Sequence, residues 1–339
     1  MRQTYRTYGL TLESDLPITG LTHLPEATSV PHVHADFATL PSWAAQALSL
    51  PITAARSRPA SLIPGESPFT VSELAGRSFF QLTYGDGTRF LMDRAATRIW
   101  GAPGPGLSHD DLCVYLIGPI MGFLLRQRGL TTLHASSLSF HGRAVALVGE
   151  AGAGKSTTAA ALALRGWPVL CEDVCALQEA AGEFQVLPAY PRVCLWPDSV
   201  RALFSSSDTL PLIVEGWDKR FLPLDGSRAH FASSRSPLAA IFLLAGRTAE
   251  NSAPCIQPVS QREAVLQLLA NTYMNWLLDR AQRAEEFDVL ARLVSDVECY
   301  RIVPSSEPAR LQVLAELIEA QTLRLLARDH ALGAAPSNV

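Results

Sequence analysis

The run Gly149-Glu150-Ala151-Gly152-Ala153-Gly154-Lys155-Ser156 limits what this chain can fold into more than any other feature, because it fits the pattern GxxxxGK[ST]. Such a run works only if a buried strand delivers the chain to the turn and a helix carries it away, so that backbone amides and the positive helix end converge on one point. Both flanks are present. Ala144–Val148 is a short apolar run between Gly142 and Gly149 and reads as a buried strand. Lys155–Arg165 is alanine-rich and stops at Gly166, which predicts a helix with a C-terminal glycine. The glycines allow positive φ and close backbone approach. The expectation is a loop that grips phosphate groups through Gly149, Glu150, Ala151, Gly152, Ala153, Gly154, Lys155, Ser156 and Thr157. Lys155 reaches the β- and γ-phosphates and Ser156 helps to hold Mg²⁺.

A second element follows closely. Pro168–Cys171 reads as another short buried strand, and Glu172-Asp173 comes directly after it. A right-handed crossover predicts that this strand lies beside the first and parallel to it, so both end at the same sheet edge. The two carboxylates are thereby delivered to the loop, where they suit two tasks: holding Mg²⁺ (Asp173, with Ser156) and accepting a proton from an attacking hydroxyl, with either Asp173 or Glu172 as the base. His134, on the strand-like Thr131–Leu138, is a candidate donor or relay. Arg192, Lys219 and Arg220 are candidate cations for the nucleotide and its transferring phosphoryl group. The expected catalytic set is Asp173, Glu172, Lys155 and His134.

Leu238–Leu244 reads as a third strand, and Arg262–Leu278 and Pro308–Leu326 carry helical periodicity. Strand, helix and strand in close order argue an α/β layer. The first hundred residues differ: short β-like runs at Thr7–Leu12, Ser78–Tyr84 and Thr88–Met92, with Asp86-Gly87 as a hairpin turn. The Pro/Gly-rich stretch 101–106 is the expected linker, and Ser108 before Asp110 and Asp111 marks a helix start. That gives a β-rich domain over 1–106 and the loop-bearing domain over 107–339. The acidic run Glu285, Glu286, Asp288 reads as a solvated helix face, and Arg56 and Arg58 as loop surface.

Composition narrows the function. With 48% hydrophobic residues the chain has a sizeable core to bury, and its net charge of −4 weighs against nucleic acid as a partner. Its six cysteines contain no CxxC pair, which speaks against a disulfide scaffold or zinc ribbon and for reduced thiols. The longest apolar run, Leu112–Leu125, is too short to span a bilayer and holds Gly118, Pro119 and Gly122. No apolar signal segment opens the chain. The expectation is a cytoplasmic protein without a membrane partner.

The segments around Leu133–Ser137, Gly149–Thr157 and Leu170–Leu177 resemble the HPr kinase/phosphorylase-like kinases, with a His-bearing strand, a phosphate loop and an acid pair soon after the loop's helix. Tyr190-Pro191-Arg192, Leu195–Asp198, Lys219–Leu224, Pro237–Leu244 and the opening Tyr8–Leu12 and Ser14–Pro17 are similar to the divergent branch in peptide-tailoring gene clusters, which phosphorylates a serine of a lasso-peptide precursor. The resemblance implies an α/β fold with a P-loop kinase core of the HPr kinase/PEP carboxykinase-like type and a smaller β-rich N-terminal domain. It implies ATP and Mg²⁺ as cofactors, a peptide or protein substrate, substrate recognition by the N-terminal domain, and room for a homo-oligomer. The family usually has Asp where this chain has Glu172, and the glycine-rich segment that follows in true HPr kinases has no counterpart. A small-metabolite kinase and a non-catalytic nucleotide-dependent module stay open as alternatives.

Overall fold

In a computed structural model, which describes residues 2–25, 30–58 and 68–333, the chain divides into two compact units, Met1–Thr132 and Leu133–Val339. The division falls after residue 132 rather than after 106. The first unit carries the strands Gln3–Thr7 (β1), Leu10–Ser14 (β2), His23–Leu24 (β3), Val33–Asp36 (β4), Ile52–Arg58 (β5), Phe69–Leu74 (β6), Phe79–Tyr84 (β7), Arg89–Asp93 (β8) and Arg98–Ala102 (β9). They form one nine-stranded mixed sheet in the order β3-β1-β2-β4-β9-β8-β7-β6-β5. The run Thr7–Leu12 is not one strand. Tyr8 and Gly9 both take positive φ (51° and 71°), the signature of a two-residue hairpin turn, and split it into β1 and β2. The Asp86-Gly87 turn joins β7 to β8 as expected, with Gly87 at φ 91°. Arg56 and Arg58 lie on the edge strand β5, not on a loop. The residues before Pro59 continue the hairpin pairing with β6, which extends the strand beyond what the flanking proline suggests.

Helix α1 spans Ser42–Leu48 and α2 spans His109–Tyr115. Ser108 caps α2 through a reciprocal box: its hydroxyl accepts from Asp111 N (3.1 Å) and Asp111 accepts from Ser108 N (2.8 Å). A π-turn at Leu116–Ile120 absorbs Pro119, and α3 continues over Met121–Gln127. The apolar run 112–125 is therefore a buried helical segment, and among the described residues no helix is long and apolar enough to cross a membrane.

The second unit holds β10 (Thr131–Phe140), β11 (Arg143–Val148), α4 (Lys155–Leu164), β12 (Val169–Cys171), β13 (Val174–Ala180), β14 (Glu183–Val186), β15 (Arg192–Leu195), α5 (Pro197–Phe204), β16 (Arg220–Pro223), β17 (Ser236–Leu244), β18 (Cys255–Pro258), α6 (Gln261–Ala270), α7 (Arg280–Asp296), β19 (Glu298–Val303) and α8 (Leu311–Gly333). The architecture is mixed α/β with several sheets. β11, β17 and β19 are parallel neighbours, while β15 and β16 form a separate antiparallel ribbon. Apolar residues of α4, α8, β11 and β17 share one core, among them Leu147, Ala160, Phe242 and Ile318.

The crossover expectation needs one correction. β12 does not lie beside β11. Both pair antiparallel with β10, which runs between them (Ala135↔Val148 and Ser137↔Cys171). A strand antiparallel to both leaves β11 and β12 parallel, so their C-terminal ends still share an edge, and the start of β10 lies between them.

Trp167 turns the chain from α4 into β12; it is 2% exposed and stacks on Phe140 with ring centroids 4.0 Å apart. Trp167→Ala is expected to cost about 3–5 kcal/mol of stability, read as a lowered urea midpoint at unchanged slope. A loss below about 1 kcal/mol would contradict the packing role.

The periodic segment 262–278 ends as a helix at Ala270. The Asn271 amide donates to Gln267 O (2.8 Å) and the Thr272 hydroxyl to Leu269 O (3.1 Å), satisfying the last carbonyls and stopping the helix. Glu286 is not on a solvated face: it is buried on α7 and shares the single Thr272 hydroxyl hydrogen with Leu269 O, its Oε2 3.0 Å from Thr272 Oγ1, whereas Glu285 and Asp288 are exposed.

Candidate functional site

β11 ends at Val148 and the chain enters the loop at Gly149. A side chain there would meet the Leu244 carbonyl oxygen at 2.9 Å, so only glycine fits against β17. Gly154 takes φ 105°, a left-handed conformation that favours glycine, and from it α4 begins. Lys155 is 6% exposed, and its ammonium donates to Gly149 O (2.7 Å) and Glu150 O (2.9 Å). Burial pulls its pKa below the usual lysine value, and the charges of Asp173, Glu172 and Glu150 restore part of it.

The acids stand at the shared edge. Glu172 is 3% exposed and its Oε1 accepts from Ser156 Oγ at 2.7 Å. Asp173 follows in a left-handed conformation (φ 68°). Its side chain is a third exposed and lies 3.2 Å from His134 Nε2, and its Oδ2 accepts a longer bond from Tyr273 OH at 3.4 Å. The strand order explains the histidine: Ala135 is opposite Val148, so His134 stands where the two parallel strands end. His134 N donates to Asn271 O (2.8 Å), which carries Tyr273 in beside it.

The two carboxyls are pushed apart. Burial raises Glu172, with Asp173 adding to the rise and Lys219, Ser156 and His134 only partly offsetting it. Burial alone would raise Asp173 too, but the hydrogen bond and charge of His134, with Lys219 and Lys155, outweigh it and hold this carboxyl below the usual range. The signs give opposite pH dependences. Ionised Asp173 stabilises the fold above its ordinary carboxylate pKa, and that contribution fades as pH falls through the lowered folded value. Ionised Glu172 opposes folding, a cost absent below its ordinary pKa and complete above the raised folded value. Glu172→Gln is therefore expected to raise the melting temperature near neutral pH and to lose that advantage in acid. Asp173→Asn is expected to lower it near neutral pH, with the gap to the parent beginning to narrow as pH falls below the ordinary carboxylate pKa. Melting curves over pH 3–8 check both, and equal shifts of one sign would contradict the assignment.

The ribbon closes the far side. Lys219 lies over the Trp196 ring (5.5 Å), as the pairing of Leu195 with Arg220 requires of the residues just beyond. Arg192 is buried, between the rings of Tyr190 (5.7 Å) and Phe221 (5.8 Å). Tyr190 OH donates to Glu172 O at 3.3 Å. Lys219 stays above its usual pKa: burial would lower it, but Glu172, Cys194 and Asp173 outweigh that. Arg220 is not brought to the site. Side chains alternate along the ribbon, and Arg220 is tied instead to Asp208 (2.7 Å) and Leu210 O (2.6 Å). Thr157 bonds Ser199 of α5 at 2.7 Å. The cysteines nearby are not nucleophiles, since burial pushes Cys171 well up and Cys194 to about 12.

No group of three or more His, Cys, Asp or Glu able to hold a metal alone occurs among the described residues. Ser156 with Glu172 supplies a hydroxyl and a carboxylate at one corner, which suits Mg²⁺ because that ion usually keeps waters and takes phosphate oxygens. The structure thus pairs Ser156 with Glu172, where the sequence paired it with Asp173. Sequence reasoning also missed Tyr273, Tyr190, Trp196, Ser199 and Arg247. The last follows β17, and its guanidinium Nη2 is 3.2 Å from where a Gly154 side chain would begin. The signal for it was available: a strand parallel to β11 must also end at this edge.

No family model matches the chain, and no curated protein matches it. Among solved structures it is similar to the HPr(Ser) kinase/phosphatase from Coxiella burnetii, at 15% identity and a TM-score of 0.33, over 60% of this chain and 98% of that one.

Proposed function

We propose that this protein is an ATP- and Mg²⁺-dependent phosphotransferase that moves the γ-phosphoryl group to a hydroxyl, with a serine of a peptide or protein as acceptor and a lasso-peptide precursor as the specific candidate. One observation carries the reading: a glycine-built loop with a buried lysine faces a carboxyl pair, one member bonded to Ser156 and the other beside His134, whose pKa values are pushed in opposite directions. A phosphate loop alone fits many nucleotide binders, and an acid pair alone fits many hydrolases. Together they fit transfer to a hydroxyl.

Lys155 and the loop amides bind the donor phosphates. Ser156 and ionised Glu172 would hold the metal, and Mg²⁺ when bound would neutralise phosphate charge. Asp173 takes the acceptor's hydroxyl proton as the acceptor oxygen bonds to phosphorus and the bond to the β-phosphate oxygen breaks. Its partial exposure gives an acceptor access, and His134 and Tyr273 orient it. Lys219 faces the same carboxyls and offsets charge on the transferring group. To the first unit we assign recognition of the peptide.

Incubating the protein with γ-labelled ATP, magnesium and a serine-containing lasso precursor is expected to put label on the peptide. A serine-to-alanine precursor is expected to stay unlabelled. Nucleotide binding with no transfer to any hydroxyl acceptor, peptide or metabolite, would overturn the reading.

A further inference from the structure

Arg192 sits at a position that ordinarily demands a counter-charge. It is 5% exposed, its Nε is buried without a hydrogen-bond partner, and among the described residues its guanidinium makes no ion pair or side-chain hydrogen bond. The flanking rings of Tyr190 and Phe221 favour a cation but supply no acceptor atoms. A buried, unpaired guanidinium is costly, and a planar fork of donors left open matches an oxyanion.

Its place in the ribbon says where that anion belongs. Alternation along β15 puts Arg192 and Cys194 on one face, and Phe221 and Lys219 continue that face from the paired strand. The face meets the acid pair through the bond from Tyr190 OH to Glu172 O. Lys155 and the loop approach the acids from the end of β11 instead. Lys219 stands between the two approaches, its charge acting on Lys155 and that of Arg192 acting on it.

We propose that Arg192, with Lys219 beside it, forms an oxyanion-binding subsite on the acceptor side of Glu172–Asp173, and that the acceptor carries a carboxylate or phosphate group close to its reacting hydroxyl. The acceptor assignment rests on the phosphotransferase reading; the anion site itself does not. Arg192 then orients a small anionic segment, Lys219 serves both that segment and the transferring group beside it, and the rest of the nucleotide is left to the loop, in place of the nucleotide contact expected of Arg192 from the sequence.

The test uses the full chain saturated with magnesium and a non-hydrolysable ATP analogue. Inorganic phosphate and succinate are titrated in separate arms, which distinguishes a phosphoryl from a carboxylate preference. At least one anion is expected to bind saturably to the nucleotide-loaded protein. Arg192→Met is expected to weaken that anion about ten- to a hundredfold while nucleotide affinity stays within about twofold. Arg192→Lys, keeping a charge, is expected to recover part of the loss, and melting temperatures verify that both variants fold. The proposal is overturned if neither anion binds the loaded wild-type protein, if Arg192→Met leaves anion binding unchanged, or if it weakens the nucleotide as much as the anion. If the nucleotide itself does not bind, the phosphotransferase reading fails. Anion binding lost in Arg192→Met without nucleotide would then still support the subsite.

Discussion

Lys155→Ala is expected to cut phosphoryl transfer about a hundred- to a thousandfold, the scale seen when one preorganised charge stabiliser is removed. The reason is in the resting geometry. The ammonium is buried and held by the Gly149 and Glu150 carbonyls, so it is already in place when phosphate arrives. Removing it leaves those two carbonyls without their donor and Asp173 without one of the buried cations that act on it. The fold is expected to persist, because the glycines that shape the turn are untouched. Measured by label transfer at saturating ATP, the variant loses turnover and also binds magnesium nucleotide more weakly. Transfer at more than about a tenth of the wild-type rate would contradict the role.

Asp173→Asn is expected to cost about a hundred- to ten-thousandfold in transfer with nucleotide affinity nearly intact, because it removes a proton acceptor and leaves the loop alone. Asparagine tolerates the left-handed backbone at this position, so the turn is expected to hold (φ 68°). It keeps the shape beside His134 and Tyr273 but loses the charge. Glu172→Gln is the informative partner. Its bond from Ser156 survives in an amide, and its loss is expected to show as weaker metal dependence. A fully active Asp173→Asn beside an inactive Glu172→Gln would reverse the two assignments.

The loop was legible because its demands are local: glycine where a side chain would hit Leu244 O or where φ is positive, apolar residues before, alanines after. The closeness of the acids was legible as well, for a reason only half right. The sequence suggested that β11 and β12 are neighbours, and no local feature says that β10 passes between them. That intervening strand is what brings His134 to Asp173. The hairpin at Tyr8-Gly9 was hidden because tyrosine seldom takes positive φ, so the propensity of the flanking residues dominated. Tyr273 and Trp196 reach the site through long-range pairing, which a single sequence does not display. Strand alternation separates Arg192 and Arg220 on the β15–β16 ribbon: one is buried against the rings of Tyr190 and Phe221, the other is tied to Asp208.

The central claim is that the turn at 149–156 holds a nucleotide's phosphates opposite Glu172 and Asp173. Calorimetric titration of the full chain with a non-hydrolysable ATP analogue, with and without magnesium, tests it most directly. The account predicts saturable one-site binding that strengthens with magnesium and is largely lost in Lys155→Ala. No heat and no rise in melting temperature at millimolar nucleotide, or affinity indifferent to Lys155, would contradict it.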